Sequence, residues 1–181
     1  MMGMVYTELL EMIEQKFSFD MVDAVIERAG ARGSYTSVGN YTDGELVAIV
    51  AALSEESGIA IPDLLHAYGG YLFQRFYEMF PAFFTNHPHA PSFLKGLETH
   101  VHTEVRKLYP VATPPLFDWT MAEGDDIYLN YTSKRGLWMF AKGLLEACLV
   151  HYGGVHEIGD VVDLSEGAGT HVRFHIRSVA E

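Results

Sequence analysis

The chain has 181 residues, about one domain with room for a core of its own. Acidic residues outnumber Lys and Arg by 24 to 12, a net charge of −12, and 49% of residues are hydrophobic. An acidic surface excludes nucleic acid and anionic lipid as partners, because both need clustered positive charge. The single cysteine, Cys148, permits no intramolecular disulfide. No run of about 18 uncharged apolar residues offers a membrane span, and the start lacks a basic segment followed by an apolar one. The expectation is a soluble, cytoplasmic protein.

Residues 4 to 17 carry Val5, Leu9, Met12, Ile13 and Phe17 at helical spacing. A second helix fits Asp20 to Ala29, ended by Gly30, and residues 31 to 42 read as loop. Thr42, three residues before Glu45, offers a capping box for a helix to about Ser57, which Gly58 closes. Pro62 suits the first turn of another helix, from Ile61 to about Met79. Phe80 to Pro91 is a break rich in Pro, His and aromatics. The spacing then predicts one continuous helix from Ser92 to Tyr109, stopped by Pro110.

Beyond a junction at Val111 to Pro115 the pattern changes. Leu116 to Met121 and Ile127 to Tyr131 are short strand-like runs joined by the hairpin signal Glu123-Gly124-Asp125-Asp126. Leu137 to Tyr152 is helical and ends at Gly153-Gly154. Val155 to Leu164 and Val172 to Val179 are two further strands, the second alternating Val172, Phe174 and Ile176 with Arg173, His175 and Arg177. The fold class is α+β: an N-terminal helical subdomain, then an antiparallel sheet of about four strands with one long helix.

Two groups carry chemistry. In an extended chain Tyr131, Ser133 and Arg135 point one way, presenting two hydroxyls and a guanidinium. A guanidinium grips a carboxylate bidentately, and a helix beginning at Gly136 adds free N–H groups that favour anions. Alone, this motif reads first as the solvated face of an edge strand. On a helical wheel, His100 and His102 fall on opposite flanks of the Leu94, Leu97, Val101, Val105, Leu108 stripe. Periodicity does not choose between them, and a boundary histidine without a metal is the commoner role. His87 and His89 lie in the Pro-rich loop without a third partner, so no zinc site is read there.

The segment Tyr131-Thr132-Ser133-Lys134-Arg135 resembles the YxSxR signature of the H-NOX family, haem nitric oxide/oxygen-binding domains related to the haem domain of soluble guanylate cyclase. Val101 to Pro110 resembles the family's proximal-histidine helix, Met2-Gly3-Met4-Val5-Tyr6 its opening, and Ala112-Thr113-Pro114-Pro115 its junction. The similarity spans essentially the whole chain, with the motifs in the family's order. It implies a single domain over 1–181, with 1–60 a helical subdomain, 61–181 the haem-binding subdomain, and haem b between the helices and the sheet. Alignment to Pro110 and Pro114-Pro115 makes His102 the implied iron ligand. Tyr131, Ser133 and Arg135 are the implied propionate holders, and Pro115 matches a proline that distorts the haem.

The implied distal pocket contains Val5, Leu9, Leu72, Phe140 and Leu144. Phe140 stands where oxygen-binding relatives carry a tyrosine that donates to bound O₂. NO needs no such donor to bind ferrous haem tightly. The expected function is therefore a non-enzymatic NO sensor, which also takes CO and regulates a separate effector such as a histidine kinase or a cyclic-di-GMP enzyme. An O₂-binding sensor of the same fold is the alternative. A metal-dependent hydrolase is a further one, though it lacks an HExxH-type pair. Some bacterial relatives carry a cysteine-rich zinc site near the C-terminus. Glu166 to His171 has no cysteine, so no structural zinc is expected.

Overall fold

The computed structural model describes residues 1–124 and 126–179. Asp125, part of the expected hairpin signal, lies outside the described residues. The N-terminal helices are α1 (Gly3–Lys16), α2 (Phe19–Ala29), α3 (Asp43–Ser57) and α4 (Ile61–Met79). Ser18 caps α2 by accepting from the Met21 amide at 3.1 Å, and Gly30 closes it in the left-handed region at φ 59°.

The capping box at α3 does not form. The Thr42 side chain makes no cap bond, and the Glu45 carboxylate instead accepts from the Arg32 amide at 3.1 Å and the Tyr35 hydroxyl at 2.8 Å. The Tyr6 phenol replaces the box. It accepts from the Leu46 amide at 3.1 Å and donates to the Thr42 carbonyl, so a residue of α1 caps α3.

The expected helix from Ser92 to Tyr109 is three pieces: α5 (Ala90–Lys95), a π turn over Leu97–Val101, and α6 (His102–Leu108). The His102 amide reaches back five residues to the Leu97 carbonyl, which widens the turn. A wheel drawn at about 100° per residue therefore fails across this stretch.

Strands β1 (Leu116–Met121), β2 (Ile127–Thr132), β3 (His156–Asp163) and β4 (His171–Ser178) form one antiparallel sheet in the order β1-β2-β4-β3. Helix α7 (Trp138–His151) connects β2 to β3. The alternation expected in β4 holds: Val172, Phe174 and Ile176 are fully buried, while Arg173 and Arg177 are exposed.

Two buried clusters make the core. One gathers Leu9, Ile13, Leu46, Leu53, Tyr68 and Leu72; the other gathers Phe73, Phe93, Leu129, Leu145 and Phe174. The seam between them falls on α4, between Leu72 and Phe73. There α4 crosses α7 at backbone contact. A Cβ added at Gly143 would lie 2.0 Å from the His66 carbonyl oxygen, and one at Gly69 would lie 2.2 Å from that of Phe140. Glycine at both positions is what lets the helices meet.

Candidate functional site

A cavity of about 240 Å³ opens along this seam, and its wall is overwhelmingly hydrocarbon. Nine of the ten residues expected at the site line it: His102, Pro115, Tyr131, Ser133, Arg135, Val5, Leu72, Phe140 and Leu144. Leu9, the tenth, corrects the expectation. It is 1% exposed within the N-terminal core cluster and is not among the lining residues. On α1 it packs inward, and Val5, one turn earlier, supplies that part of the wall.

His102 opens α6 just after the π turn and stands against Phe117, ring centroids 5.9 Å apart. Its Nδ1 lies 2.9 Å from Glu98 Oε2, whose other oxygen accepts from Arg106. Burial lowers the imidazole pKa below its ordinary 6.5, and the Glu98 carboxylate offsets only part of that. The ring is therefore neutral at pH 7, and Nε2 has no hydrogen-bond partner among the described residues. His100 faces elsewhere. It is exposed, with Nδ1 3.1 Å from Thr99 Oγ1, and is not among the lining residues. The structure thus separates the two histidines that periodicity left equivalent.

The polar cluster forms at the other end of the cavity. Tyr131 sits in β2, paired with Phe117 and Val172, and is 2% exposed. Burial raises its phenol pKa. Past the strand end, the Ser133 amide donates to the Thr170 carbonyl at 2.8 Å, and Ser133 Oγ accepts from the Arg135 amide at 3.3 Å. Gly136 then turns the chain at φ 63°, and α7 begins at Trp138, one residue after the expected Leu137.

The Arg135 guanidinium donates to the Thr113 carbonyl at 2.7 Å and to Thr113 Oγ1 at 2.6 Å. Its Nε lies 2.9 Å from Asp43 Oδ1 without an aligned hydrogen bond, so charge rather than geometry holds that pair. The Met1 ammonium approaches the same oxygen at 3.3 Å. Burial raises the Asp43 pKa, but Arg135 and that ammonium together bring it below 3.8.

Also on the wall, Phe140 stacks on Tyr68 with ring centroids 5.0 Å apart. The Tyr68 hydroxyl is committed to the Val5 carbonyl and does not reach the cavity. Cys148, one turn beyond Leu144, adds a thiol to the wall. Its pKa is pushed up to about 12 by burial, so it is a neutral, weak donor.

Asp43, Glu98 and Arg106 were missed in the sequence. Glu98 and Arg106 flank His102 at i−4 and i+4, a spacing visible in principle. Asp43 is far from Arg135 along the chain, and no local pattern joins them.

These features suit a haem. One neutral imidazole with a free lone pair faces an apolar slot, and a half-buried guanidinium, imperfectly paired with Asp43, waits beside two hydroxyls. Among the described residues no group of three or more His, Cys, Asp or Glu side chains could hold a bare metal ion, and no helix is long and apolar enough to cross a membrane.

The class so defined is a haem-binding, gas-sensing domain. The chain belongs to the haem-NO-binding family, the H-NOX proteins, whose family model matches residues 2–159. Members are sensors rather than enzymes, and this chain is a sensor. The Fe(II) unliganded H-NOX protein from K. algicida superposes with a TM-score of 0.91 at 29% identity, covering 100% of this chain and 98% of that one. The H-NOX from Shewanella woodyi, solved bound to IWP-051 in the Fe(II)CO state, gives 0.84 at 34% identity, covering 100% and 97%. The S. oneidensis H-NOX in its Fe(II)NO state gives 0.90 at 24% identity over 99% and 100%, a likeness of fold. No curated protein compared by sequence matches the chain.

Proposed function

We propose that this chain is a cytoplasmic nitric oxide sensor that holds haem b, takes NO or CO at the ferrous iron, and regulates a separate effector protein, such as a histidine kinase or a cyclic-di-GMP enzyme. The observation that carries the reading is the make-up of the cavity wall: His102 with a free Nε2 stands in a lining that is otherwise overwhelmingly hydrocarbon, Leu72, Phe140 and Leu144 included. Relatives with the same fold are known with Fe(II)NO and Fe(II)CO, which supports the ligand choice.

In this reading His102 Nε2 holds the iron, and Tyr131, Ser133 and Arg135 hold the propionates. When bound, the haem supplies one ferrous coordination position for a diatomic gas. Pro115 and Leu144, both on the cavity wall, would pack against it, Pro115 as the residue that distorts it. Arg135 also joins Thr113, two residues before Pro115, to Asp43 at the start of α3. We propose that a haem displaced against Pro115 is felt at the N-terminal helices through Thr113, Arg135 and Asp43. We take residues 1–60 and 61–181 as the two bodies that shift, a two-state element biased by ligand.

The test is the visible spectrum of purified, reduced protein alone, in air and under NO. A haem spectrum that changes under NO but not in air supports the reading. A colourless protein, or a stable oxygenated spectrum in air, overturns it.

A further inference from the structure

The π turn that precedes α6 has a consequence beyond breaking a helix. It opens the backbone at Leu97–Val101 and sets Glu98 beneath the ring of His102, with carboxylate Oε2 2.9 Å from Nδ1. Glu98 is held on three sides. Arg106 donates to Oε1, His102 occupies Oε2, and Thr103 Oγ1 donates to the Glu98 carbonyl at 3.2 Å. An acceptor this close requires the imidazole proton on Nδ1, which leaves the lone pair on Nε2, the nitrogen with no hydrogen-bond partner among the described residues. An ionised carboxylate there also raises the donor strength of the ring, as carboxylate partners do for metal-bound histidines. Arg106 acts against it, drawing charge toward Oε1.

We propose that Glu98 is a positioning residue. It fixes the tautomer of His102 and, balanced by Arg106, sets how strongly His102 holds iron and how readily that bond yields when gas binds. This rests on His102 being the iron ligand, as proposed above. The two side chains pull in opposite senses, which separates this role from simple packing: a packing defect in either variant weakens the site, whereas the balance predicts opposite shifts.

The experiment is resonance Raman spectroscopy of the reduced haem-loaded protein, reading the iron–histidine stretch. Glu98→Gln replaces an anionic acceptor by a neutral amide and is expected to lower the frequency. Arg106→Ala frees the carboxylate from its counter-charge and is expected to raise it. Under NO, the fraction of protein keeping its histidine bond is expected to fall or stay at zero in Glu98→Gln and to rise in Arg106→Ala. If Glu98→Gln holds too little haem to measure, the Arg106→Ala shift decides alone. An unmoved stretch in Arg106→Ala, or a fall in both variants, overturns the proposal while leaving the sensor reading intact. A wild-type protein with haem but no iron–histidine stretch overturns both.

Discussion

Arg135 Nε stands 2.9 Å from Asp43 Oδ1, which joins the first residue of α3 to the side chain best placed to grip a carboxylate at the cavity rim. The same guanidinium holds both oxygens of Thr113. Three segments far apart in sequence thus converge on one cation: the N-terminal helices, the linker before Pro115, and the turn after β2. A carboxylate arriving in the cavity would draw on a side chain that already ties the two halves together.

The first prediction is the pH dependence of this link. The Asp43 carboxyl is held below its ordinary 3.8 once Arg135 and the Met1 ammonium outweigh the burial that raises it. A depressed value means stability that is present above pH 3.8 and is lost as pH falls through the lower folded value. Asp43→Asn is therefore expected to unfold at lower urea than wild type at pH 7. The gap is expected to close below the depressed value, where wild type is protonated as well. Urea titrations at neutral and strongly acidic pH measure this, and a gap that persists at both contradicts it.

Haem retention tests the polar cluster. Arg135→Ala is expected to lose more haem than Ser133→Ala, because it removes the formal positive charge aimed at the carboxylates. A hydrogen bond to a charged group contributes about 1.5–3 kcal/mol, against about 1 for a neutral one. The ratio of Soret to protein absorbance after purification reads the difference. Wild-type haem content in both variants would return the motif to a solvated strand end.

His102→Ala is expected to lose haem, or to hold it only with added imidazole, while His100→Ala keeps a normal Soret band. The family resemblance, aligned on Pro110 and Pro114-Pro115, implies this, and the structure adds that His102 lines the cavity while His100 is exposed beside Thr99. The reverse outcome would move the ligand to His100.

How much of this was legible in the sequence differs by element, and the reasons are local. Helix α4 was read to its observed ends because Gly58 and Pro62 mark its entry and the apolar spacing never breaks. β4 was legible because strict alternation matches one buried face. The α3 cap was misread because Glu45 had competitors, the Arg32 amide and the Tyr35 hydroxyl, and because Tyr6 capped the helix from outside it. The segment around His102 was misread because a constant helical period was assumed across a π turn. Site residues carried by family motifs all reach the cavity. Leu9 had no motif and packs elsewhere, and Asp43 had no local signal at all.

The α4–α7 crossing gives a prediction about shape. Gly143 lies so close to the His66 carbonyl that an alanine methyl has nowhere to go without moving a helix backbone. Gly143→Ala is expected to destabilise the protein by about 1–3 kcal/mol, the usual range for an overpacked core. Because Phe140 and Leu144 ride on α7, the displacement is also expected to change CO binding rates, read by flash photolysis. A variant with wild-type stability and unchanged rates would mean that the helices part freely.

Gas choice is the last prediction and bears on the whole site. Oxygen bound to ferrous haem carries partial negative charge and is stabilised by a donor aimed at it. Phe140 offers none, and the phenol behind it, Tyr68, already donates to Val5. The reduced protein is expected to bind CO and NO and to form no lasting complex in air. Phe140→Tyr adds a hydroxyl where the ring now stacks on Tyr68, and a well-aimed hydrogen bond contributes only about 1 kcal/mol, roughly fivefold in an equilibrium. That variant is expected to show a short-lived oxygen complex at most. Spectra recorded in air for both proteins check this. A lasting oxygen spectrum from wild type would overturn the nitric oxide reading, and its loss in Cys148→Ala would identify the Cys148 thiol on the wall as the unrecognised donor.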